Sequence, residues 1–246
     1  MSKVIVITGA GIGLGRALAR RFANDGDRVV LLGRTFAKVQ AAAQEIGGQA
    51  MAVACDVASP ASVKAAFAEI ARRHPRIDVL INNAAVFEPF LVADASDEQI
   101  MNTLAINLGG AILCSRSAIP IMGRGAHIIN VSSESVETLH MPHLILYQCS
   151  KAGLERFTLG LQRELEPSGI RVSTVRAGAM MEEGKVWDID PAARMRFGKA
   201  AMEAGINLRE RPISQFTSVT HVFRSLIDMP ADLHSVTVTL HARKPE

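Results

Sequence analysis

The chain has 246 residues, of which 48% are hydrophobic, and 27 lysines and arginines against 24 acidic residues give a formal net charge of +3. This length and apolar content suffice for a large core, and we predict one domain over residues 1–246. The basic residues are scattered, which does not indicate nucleic-acid binding, and three cysteines without CxxC spacing predict neither disulfides nor a zinc site.

Short apolar and β-branched runs alternate along the chain with longer segments of helical periodicity. The predicted strands are Val4–Ile7, Val29–Leu32, Ala50–Ala54, Val79–Ile81, His127–Val131, Arg171–Val175 and Val236–Leu240. Helix start signals fall between them, with Ser59 before residues 61–73, Ser96 before residues 97–108, and Ser214 before a periodic apolar stripe. The alternation predicts an α/β fold with a doubly wound, seven-stranded parallel sheet and helices on both faces.

Two segments bear on location in the cell. About five apolar residues precede the first glycine turn, too few for the hydrophobic region of a secretion signal. The longest uncharged stretch, Gln99 to Ser115, contains two Asn, a Gln and a Thr, so it predicts a buried helix and not a membrane span. With no disulfide framework, we expect a cytoplasmic protein without a membrane role.

The first strand leads into a glycine-rich run, Thr8-Gly9-Ala10-Gly11-Ile12-Gly13-Leu14-Gly15. Glycines let backbone amides approach a phosphate, and the N-terminus of a following helix supplies N–H donors and a partial positive charge. The strand before the run and the amphipathic segment after it complete the context of a dinucleotide-binding turn. A tight turn in an unrelated α/β protein is the alternative.

Tyr147 and Lys151 stand four residues apart and would lie on one face of a helix. An ammonium beside a phenol stabilises the phenolate, so we expect the pKa of Tyr147 to be lowered, which suits acid–base catalysis near neutrality. Taken alone, the pattern is also compatible with an ordinary surface pair.

Further motifs accompany this pair: Asn82-Asn83-Ala84-Ala85 after the fourth strand, Asn107 in a helix, and Val131-Ser132-Ser133 at the end of the fifth strand. With the TGxxxGxG run and YxxxK, the ordered set resembles the short-chain dehydrogenase/reductase family over essentially the whole chain. The resemblance implies a single-domain Rossmann fold and a catalytic tetrad of Asn107, Ser133, Tyr147 and Lys151.

The resemblance also implies a role for each member of the tetrad. Tyr147 would exchange a proton with a carbonyl or alcohol oxygen, Ser133 would hydrogen-bond that oxygen, and Lys151 would also hold the nicotinamide ribose. Asn107 would position a proton-relay water. The alternatives are a strand-ending serine for Ser133 and a hydrogen-bonded structural asparagine for Asn107.

The end of the second strand bears on the cofactor, because Gly33 is followed by Arg34 and not by an acidic residue. A guanidinium can pair with a 2′-phosphate and stack on adenine, so NADP(H) is favoured; a solvated arginine is the alternative. Cys55-Asp56-Val57 resembles the family's adenine-contacting segment, and Asn83 the residue beside the adenosine ribose. The expected cofactor-binding residues are Gly9, Gly11, Ile12, Gly13, Leu14, Arg34, Asp56, Val57, Asn83, Tyr147 and Lys151.

Three residues depart from the family pattern. Ala85 replaces the glycine of Asn-Asn-Ala-Gly, Ala177 replaces the proline before Gly178, and Glu182 stands where a threonine is common. They put in doubt how the nicotinamide carboxamide is held. Residues 180–211, rich in methionine and charge, predict a substrate-binding lid beyond the strand ends, with a surface excursion as the alternative.

The resemblance implies an oxidoreductase that interconverts a carbonyl compound and an alcohol. We expect pocket walls from residues 86–91, 134–146 and 180–202, with methionines forming an adaptable surface for an apolar or aromatic substrate. His140 and His143 lack further ligands, so no metal is predicted. By analogy with the family, a homodimer or homotetramer is expected, for which Leu154, Phe157, Leu161 and Leu165 could supply a packing surface. A catalytically weak NADP(H)-binding sensor and an epimerase without net redox are the alternatives.

Overall fold

A parallel sheet lies at the centre of the structure, a computed structural model that describes residues 2–137, 142–181 and 190–244. The strands in chain order are β1 (Val4–Thr8), β2 (Arg28–Gly33), β3 (Met51–Ala54), β4 (Ile77–Asn82), β5 (Met122–Ser133), β6 (Arg171–Ala177), β7 (Met180–Met181), β8 (Ser214–Gln215) and β9 (Thr237–Thr239). Seven of them pair in parallel in the order β3-β2-β1-β4-β5-β6-β9, while β7 and β8 form a separate small sheet. The predicted seven-stranded α/β fold is confirmed.

The helices of the described residues are α1 (Gly13–Asn24), α2 (Phe36–Ile46), α3 (Pro60–Arg73), α4 (Asp97–Leu104), α5 (Gly110–Ala118), α6 (Ile145–Leu165), α7 (Pro191–Glu203) and α8 (Phe216–Ile227). A π-helical turn, Ala105–Gly109, joins α4 to α5. The predicted cap of α3 is present, because the Ser59 side chain accepts a hydrogen bond from the Ser62 backbone N–H.

Each face of the sheet has its own core, because successive residues of a strand point to opposite faces. Val4 and Val6 of β1 belong to a cluster with residues of α3, α5 and α6. Ile5 and Ile7, between and after them, belong to a second cluster with residues of α1, α2 and α8. The near-continuous apolar strands therefore carry helices on both sides, as a doubly wound sheet requires.

The helix expected after Ser214 begins two residues later, at Phe216. Ser214 pairs with Met180 in the small sheet and stands one residue before the N-cap position, so it does not cap the helix. Gln215 occupies the N-cap position without a side-chain hydrogen bond. The local cap signal was overridden by strand pairing with a segment distant in sequence.

The apolar stripe of α6 does not form an exposed packing surface. Leu154, Leu161 and Leu165 are buried at 1%, 5% and 6% exposure, and Phe157 packs against the same core. These residues therefore belong to the core of the chain itself. They do not provide the surface through which we expected the homo-oligomer to pack.

The predicted lid, residues 180–211, contains β7 at its start and helix α7 further on, and residues 182–189 lie outside the described residues. Helix α7 buries Phe197, whereas Met195 and Met202 are 73% and 59% exposed. The expected wall of adaptable methionines is therefore wrong for these two positions, since they point to solvent and Phe197 faces inward.

One helical stretch, Asp97–Ile121, is long and apolar enough to cross a membrane by length and composition alone. This is weak evidence, because the core helix of a soluble protein passes the same test. Polar contacts tie the stretch to the sheet: Ser115 is fully buried and accepts a hydrogen bond from Asn82 Nδ2 at 3.1 Å.

A capping box at the N-terminus of α4 stabilises the start of this stretch, and its contribution to stability can be measured. Ser96 Oγ accepts from the Gln99 N–H at 3.1 Å, and the Gln99 side chain accepts from the Ser96 N–H at 3.0 Å. We expect Ser96→Ala to lower the free energy of unfolding by about 1 kcal/mol, because the Gln99 backbone N–H loses the hydroxyl that accepts its hydrogen bond. Urea unfolding measures this against Ser218→Ala, an exposed position in α8; equal shifts in the two variants would refute the capping role.

Candidate active site

The carboxyl ends of neighbouring parallel strands bring the predicted site residues to one edge of the sheet. From β1 the sheet extends to one side through β2 and β3, and from the neighbouring strand β4 it extends to the other side through β5 and β6. The strand order therefore reverses between β1 and β4. A crevice opens outside the carboxyl ends of strands at such a switch point. The glycine-rich run follows β1, Asn83 follows β4, and Ser133 ends β5, so all three border this crevice.

The turn after β1 requires glycine for conformation and for space. Gly9 has a φ of +65°, and a Cβ there would lie 2.9 Å from the Ala84 Cα. Asn83 holds the turn in place, since its Nδ2 donates to the Thr8 carbonyl at 3.0 Å while its backbone N–H donates to Thr8 Oγ1 at 2.9 Å. The backbone of the turn is therefore fixed against the loop that follows β4.

A groove of about 390 Å³ runs over this turn, and we call it the glycine groove. Its lining contains every predicted cofactor residue that precedes the YxxxK segment: Gly9, Gly11, Ile12, Gly13, Leu14, Arg34, Asp56, Val57 and Asn83. It also contains Lys38 of α2, which was not among the predicted cofactor-binding residues. Lys38 lies in the first turn of α2, four residues after Arg34. This short separation could have indicated that both cations line the same groove.

A second cavity of about 440 Å³ adjoins the groove, and we call it the tyrosine pocket. Leu14, Asn83 and Ala85 line both spaces, so the two lie side by side. The described residues that line the tyrosine pocket are Leu14, Asn83, Ala85, Phe87, 131–135, Leu144, Tyr147, Lys151, 177–180, Phe197, Leu208, Arg211 and Phe216. All three predicted wall segments contribute, Leu208 and Arg211 belong to the predicted lid, and Phe216 is an addition that the sequence motifs did not indicate.

Tyr147, Ser133 and Lys151 meet inside the tyrosine pocket. The Ser133 hydroxyl accepts a hydrogen bond from the Ser135 hydroxyl at 2.9 Å, and it lies near enough to the Tyr147 phenol to lower the pKa of that phenol. Lys151 Nζ lies 5.9 Å from the centre of the tyrosine ring and donates to the Val131 carbonyl at 2.8 Å. The rings of Phe87 and Tyr147 pack edge to face, with their centroids 5.1 Å apart.

Burial controls the protonation of both groups. It lowers the pKa of Lys151 from 10.5 to about 8, because the buried ammonium has lost hydration. Burial also raises the pKa of Tyr147, and the hydrogen bond from Ser133 only partly opposes this. The expected lowering of the tyrosine pKa is therefore wrong for the protein alone, since loss of hydration outweighs the stabilisation of a phenolate, and Tyr147 is a phenol at neutral pH.

Asn107 lies behind the pocket and not on its wall. Its side chain is 1% exposed and sits in the π-helical turn. The amide accepts from the Val86 N–H at 2.8 Å and donates to the Val86 carbonyl at 3.0 Å and to Ser150 Oγ at 3.1 Å. The side chain thus fixes the loop after β4 against α6, and the positioning of a water by Asn107 stays a prediction.

Two of the three departures from the family pattern lie at the site. The Ala85 methyl group borders both cavities, and Ala177 lines the pocket at the end of β6. At Gly178, next to it, a Cβ would lie 3.1 Å from Glu134 Oε2 and clash with the Leu240 carbonyl oxygen, so the space there fits only glycine. Glu182 and His140 lie outside the described residues. Among the residues that the structure describes, no group of three His, Cys, Asp or Glu side chains could hold a metal ion.

Comparison with known proteins places this geometry in a family. The profile of the family described as short chain dehydrogenase matches residues 3–185. A 3-oxoacyl-[acyl-carrier-protein] reductase of Bos taurus is 34% identical over 181 residues, covering 72% of this chain and 76% of that protein. A sorbitol dehydrogenase of Cereibacter sphaeroides is 32% identical over 192 residues, covering 76% of this chain and 73% of that protein.

The fold agrees over nearly the full length with a solved structure. A short chain dehydrogenase from Burkholderia cenocepacia J2315 in complex with NADP superimposes with a TM-score of 0.82 at 26% identity, covering 98% of this chain and 96% of that one. The chain belongs to the short-chain dehydrogenase/reductase family of oxidoreductases.

Proposed function

We propose that the protein is an NADP(H)-dependent carbonyl reductase or alcohol dehydrogenase acting on apolar or aromatic compounds. The observation that carries the proposal is the adjacency of the two cavities: Tyr147, Ser133 and Lys151 line the tyrosine pocket, which shares part of its wall with the glycine groove. A proton donor thus lies beside a groove suited to a dinucleotide. Holding both reactants there is itself a large part of catalysis.

The glycine groove fits NADP(H). Gly9 and Gly13 have positive φ values, and the missing Cβ atoms leave backbone amides at the start of α1 open to a pyrophosphate. Arg34 and Lys38 in its lining supply cations for a 2′-phosphate, and the similar Burkholderia cenocepacia protein was solved with NADP. When bound, the nicotinamide supplies or accepts the hydride.

The residues of the pocket supply the proton and hold the reacting oxygen. Tyr147, protonated at neutral pH, gives its proton to the carbonyl oxygen, and Ser133 hydrogen-bonds the same oxygen. The Lys151 ammonium, 5.9 Å from the ring, stabilises the phenolate that forms. A raised tyrosine pKa favours this direction, because the group begins as an acid.

The lining favours an apolar or aromatic substrate. Phe87, Phe197 and Phe216 face the cavity, and Phe87 contacts the rings of both Tyr147 and Phe197 edge-on. A volume of about 440 Å³ lies in the range of small-molecule sites. The proposal includes a cytoplasmic enzyme that assembles as a homo-oligomer, as family members usually do; light scattering decides the second point.

NADPH oxidation tests the proposal across aliphatic, aromatic and acidic carbonyl compounds, with NADH as the comparison. Turnover of apolar or aromatic members with NADPH supports the reductase. Tight NADPH binding without turnover of any member would favour the sensor. Conversion of a substrate with unchanged cofactor absorbance would indicate an epimerase.

The choice of cofactor gives a separate prediction. We expect Arg34→Ala to weaken NADPH binding by roughly tenfold, because a charged hydrogen-bonding partner of the 2′-phosphate is lost while Lys38 remains. NADH binding should change by less than about threefold, since NADH has no 2′-phosphate. Fluorescence titration compares both with Arg163→Ala, an exposed arginine on α6. Equal weakening of NADPH and NADH by Arg34→Ala would contradict a phosphate contact.

A further inference from the structure

Two oppositely charged side chains pair on the wall of the tyrosine pocket, one residue away from Ser133. Glu134 is 8% exposed, and its Oε1 accepts a hydrogen bond from Arg211 Nη2 at 2.7 Å. The same oxygen accepts from the Ala179 N–H at 3.2 Å, and Oε2 lies 2.8 Å from Nδ1 of His241. The carboxylate is therefore held by three donors from three separate segments.

The rest of the described lining contributes little charge. Lys151 is the other charged group, and its Nζ is bound to the Val131 carbonyl beneath the tyrosine. The other described lining residues are apolar or carry only neutral polar groups. The Glu134–Arg211 pair thus makes its side of the pocket electrically neutral, although a cation stands on the wall.

We infer that Glu134 and Arg211 determine specificity by excluding carbonyl compounds that carry a carboxylate. The inference rests on the proposed reductase function and adds the charge of its substrate. Because Arg211 is already paired with Glu134, a carboxylate that enters the pocket loses hydration without gaining the guanidinium as a partner, and it meets the Glu134 carboxylate beside it. An uncharged compound needs no such partner, so the selectivity comes from the cost imposed on the wrong substrate.

This arrangement predicts a gain of binding. Glu134→Gln keeps the size of the side chain and an oxygen that can accept from Arg211, but it removes the negative charge. The charge of Arg211 then has no compensating carboxylate at 2.7 Å and becomes a partner for an incoming anion. A purely structural role for Glu134 would instead weaken binding of charged and uncharged compounds alike.

Dead-end complexes with NADP⁺ separate binding from turnover. The probes are 4-formylbenzoate and its methyl ester, which differ in one charge beside the same ring and aldehyde. Calorimetry gives the ratio of their dissociation constants for wild type, Glu134→Gln, and Glu134→Gln combined with Arg211→Gln. Glu137→Gln is the matched control, because Glu137 also pairs with an arginine, Arg176, but is absent from the pocket lining.

Wild type should bind the ester at least about tenfold more tightly than the carboxylate. In Glu134→Gln the dissociation constant of the carboxylate, divided by that of the ester, should fall by roughly tenfold. Arg211→Gln in the same chain should abolish the gain, and Glu137→Gln should leave the ratio at the wild-type value. Binding of neither probe, equal binding of both by wild type, or an unchanged ratio in a folded Glu134→Gln protein would overturn the inference. Ester-selective binding without NADPH oxidation would support it while refuting the reductase function.

Discussion

Replacing Tyr147 with phenylalanine is expected to lower kcat for carbonyl reduction by about a thousandfold. The change removes only the hydroxyl that supplies the proton, and the ring keeps its edge-on contact with Phe87 at 5.1 Å. Ser133 can still hydrogen-bond the substrate oxygen, but it is a much poorer proton donor than Tyr147 because an alkoxide is far more basic than a phenolate. We therefore expect KM and the affinity for NADPH to change far less than kcat.

Stopped-flow single-turnover measurements with saturating NADPH test this directly, because they isolate the chemical step from product release. Thr103→Val is a suitable control, since it removes a hydroxyl that donates to the Gln99 carbonyl within a helix. A Tyr147→Phe protein that binds NADPH normally and retains more than about a tenth of the wild-type rate would exclude Tyr147 as the proton donor.

Replacing Lys151 with methionine is expected to reduce activity and raise stability together. We expect a loss of about a hundredfold or more in kcat, because the phenolate formed on Tyr147 loses the ammonium 5.9 Å from its ring. The lysine is 2% exposed, and burial holds its pKa at about 8. The difference from 10.5 corresponds to a destabilisation of roughly 3 kcal/mol at neutral pH, which an apolar side chain of similar length would remove.

The sign of this effect can be checked through its pH dependence. Between about pH 8 and 10.5 the unfolded wild type binds more protons at Lys151 than the folded protein, so its stability increases with pH over that interval. The stabilisation by Lys151→Met should be greatest below pH 8 and shrink toward pH 10.5. Urea unfolding at several pH values measures it, and a variant less stable than wild type at pH 7 would contradict a burial cost at this position.

Much of the fold could be predicted because its determinants are local. The strands are short apolar runs, and Ser59 and Ser96 mark helix starts through contacts within three residues. Glycines after the first strand indicate a turn that few other residues could adopt. The glycine groove could be predicted for the same reason, because most of its lining comes from the segments that directly follow β1, β2, β3 and β4.

What could not be predicted depends on contacts between distant segments. The sequence places Tyr147 beside Lys151, but the burial that raises the pKa of the phenol comes from the assembled pocket. Nothing local identifies Glu134, whose partners include Arg211, 77 positions away, and His241, 107 positions away. Ser214 also carries a helix signal that pairing with Met180 overrides.

The central claim is that hydride passes between a nicotinamide cofactor and a carbonyl carbon in the tyrosine pocket. The most direct measurement follows deuterium from NADPH labelled at the transferred position of the nicotinamide into an aromatic ketone or aldehyde, by mass spectrometry of the product. We predict one deuterium on the carbinol carbon for each NADPH consumed. Product without deuterium, or conversion of substrate without loss of NADPH, would contradict the proposed function.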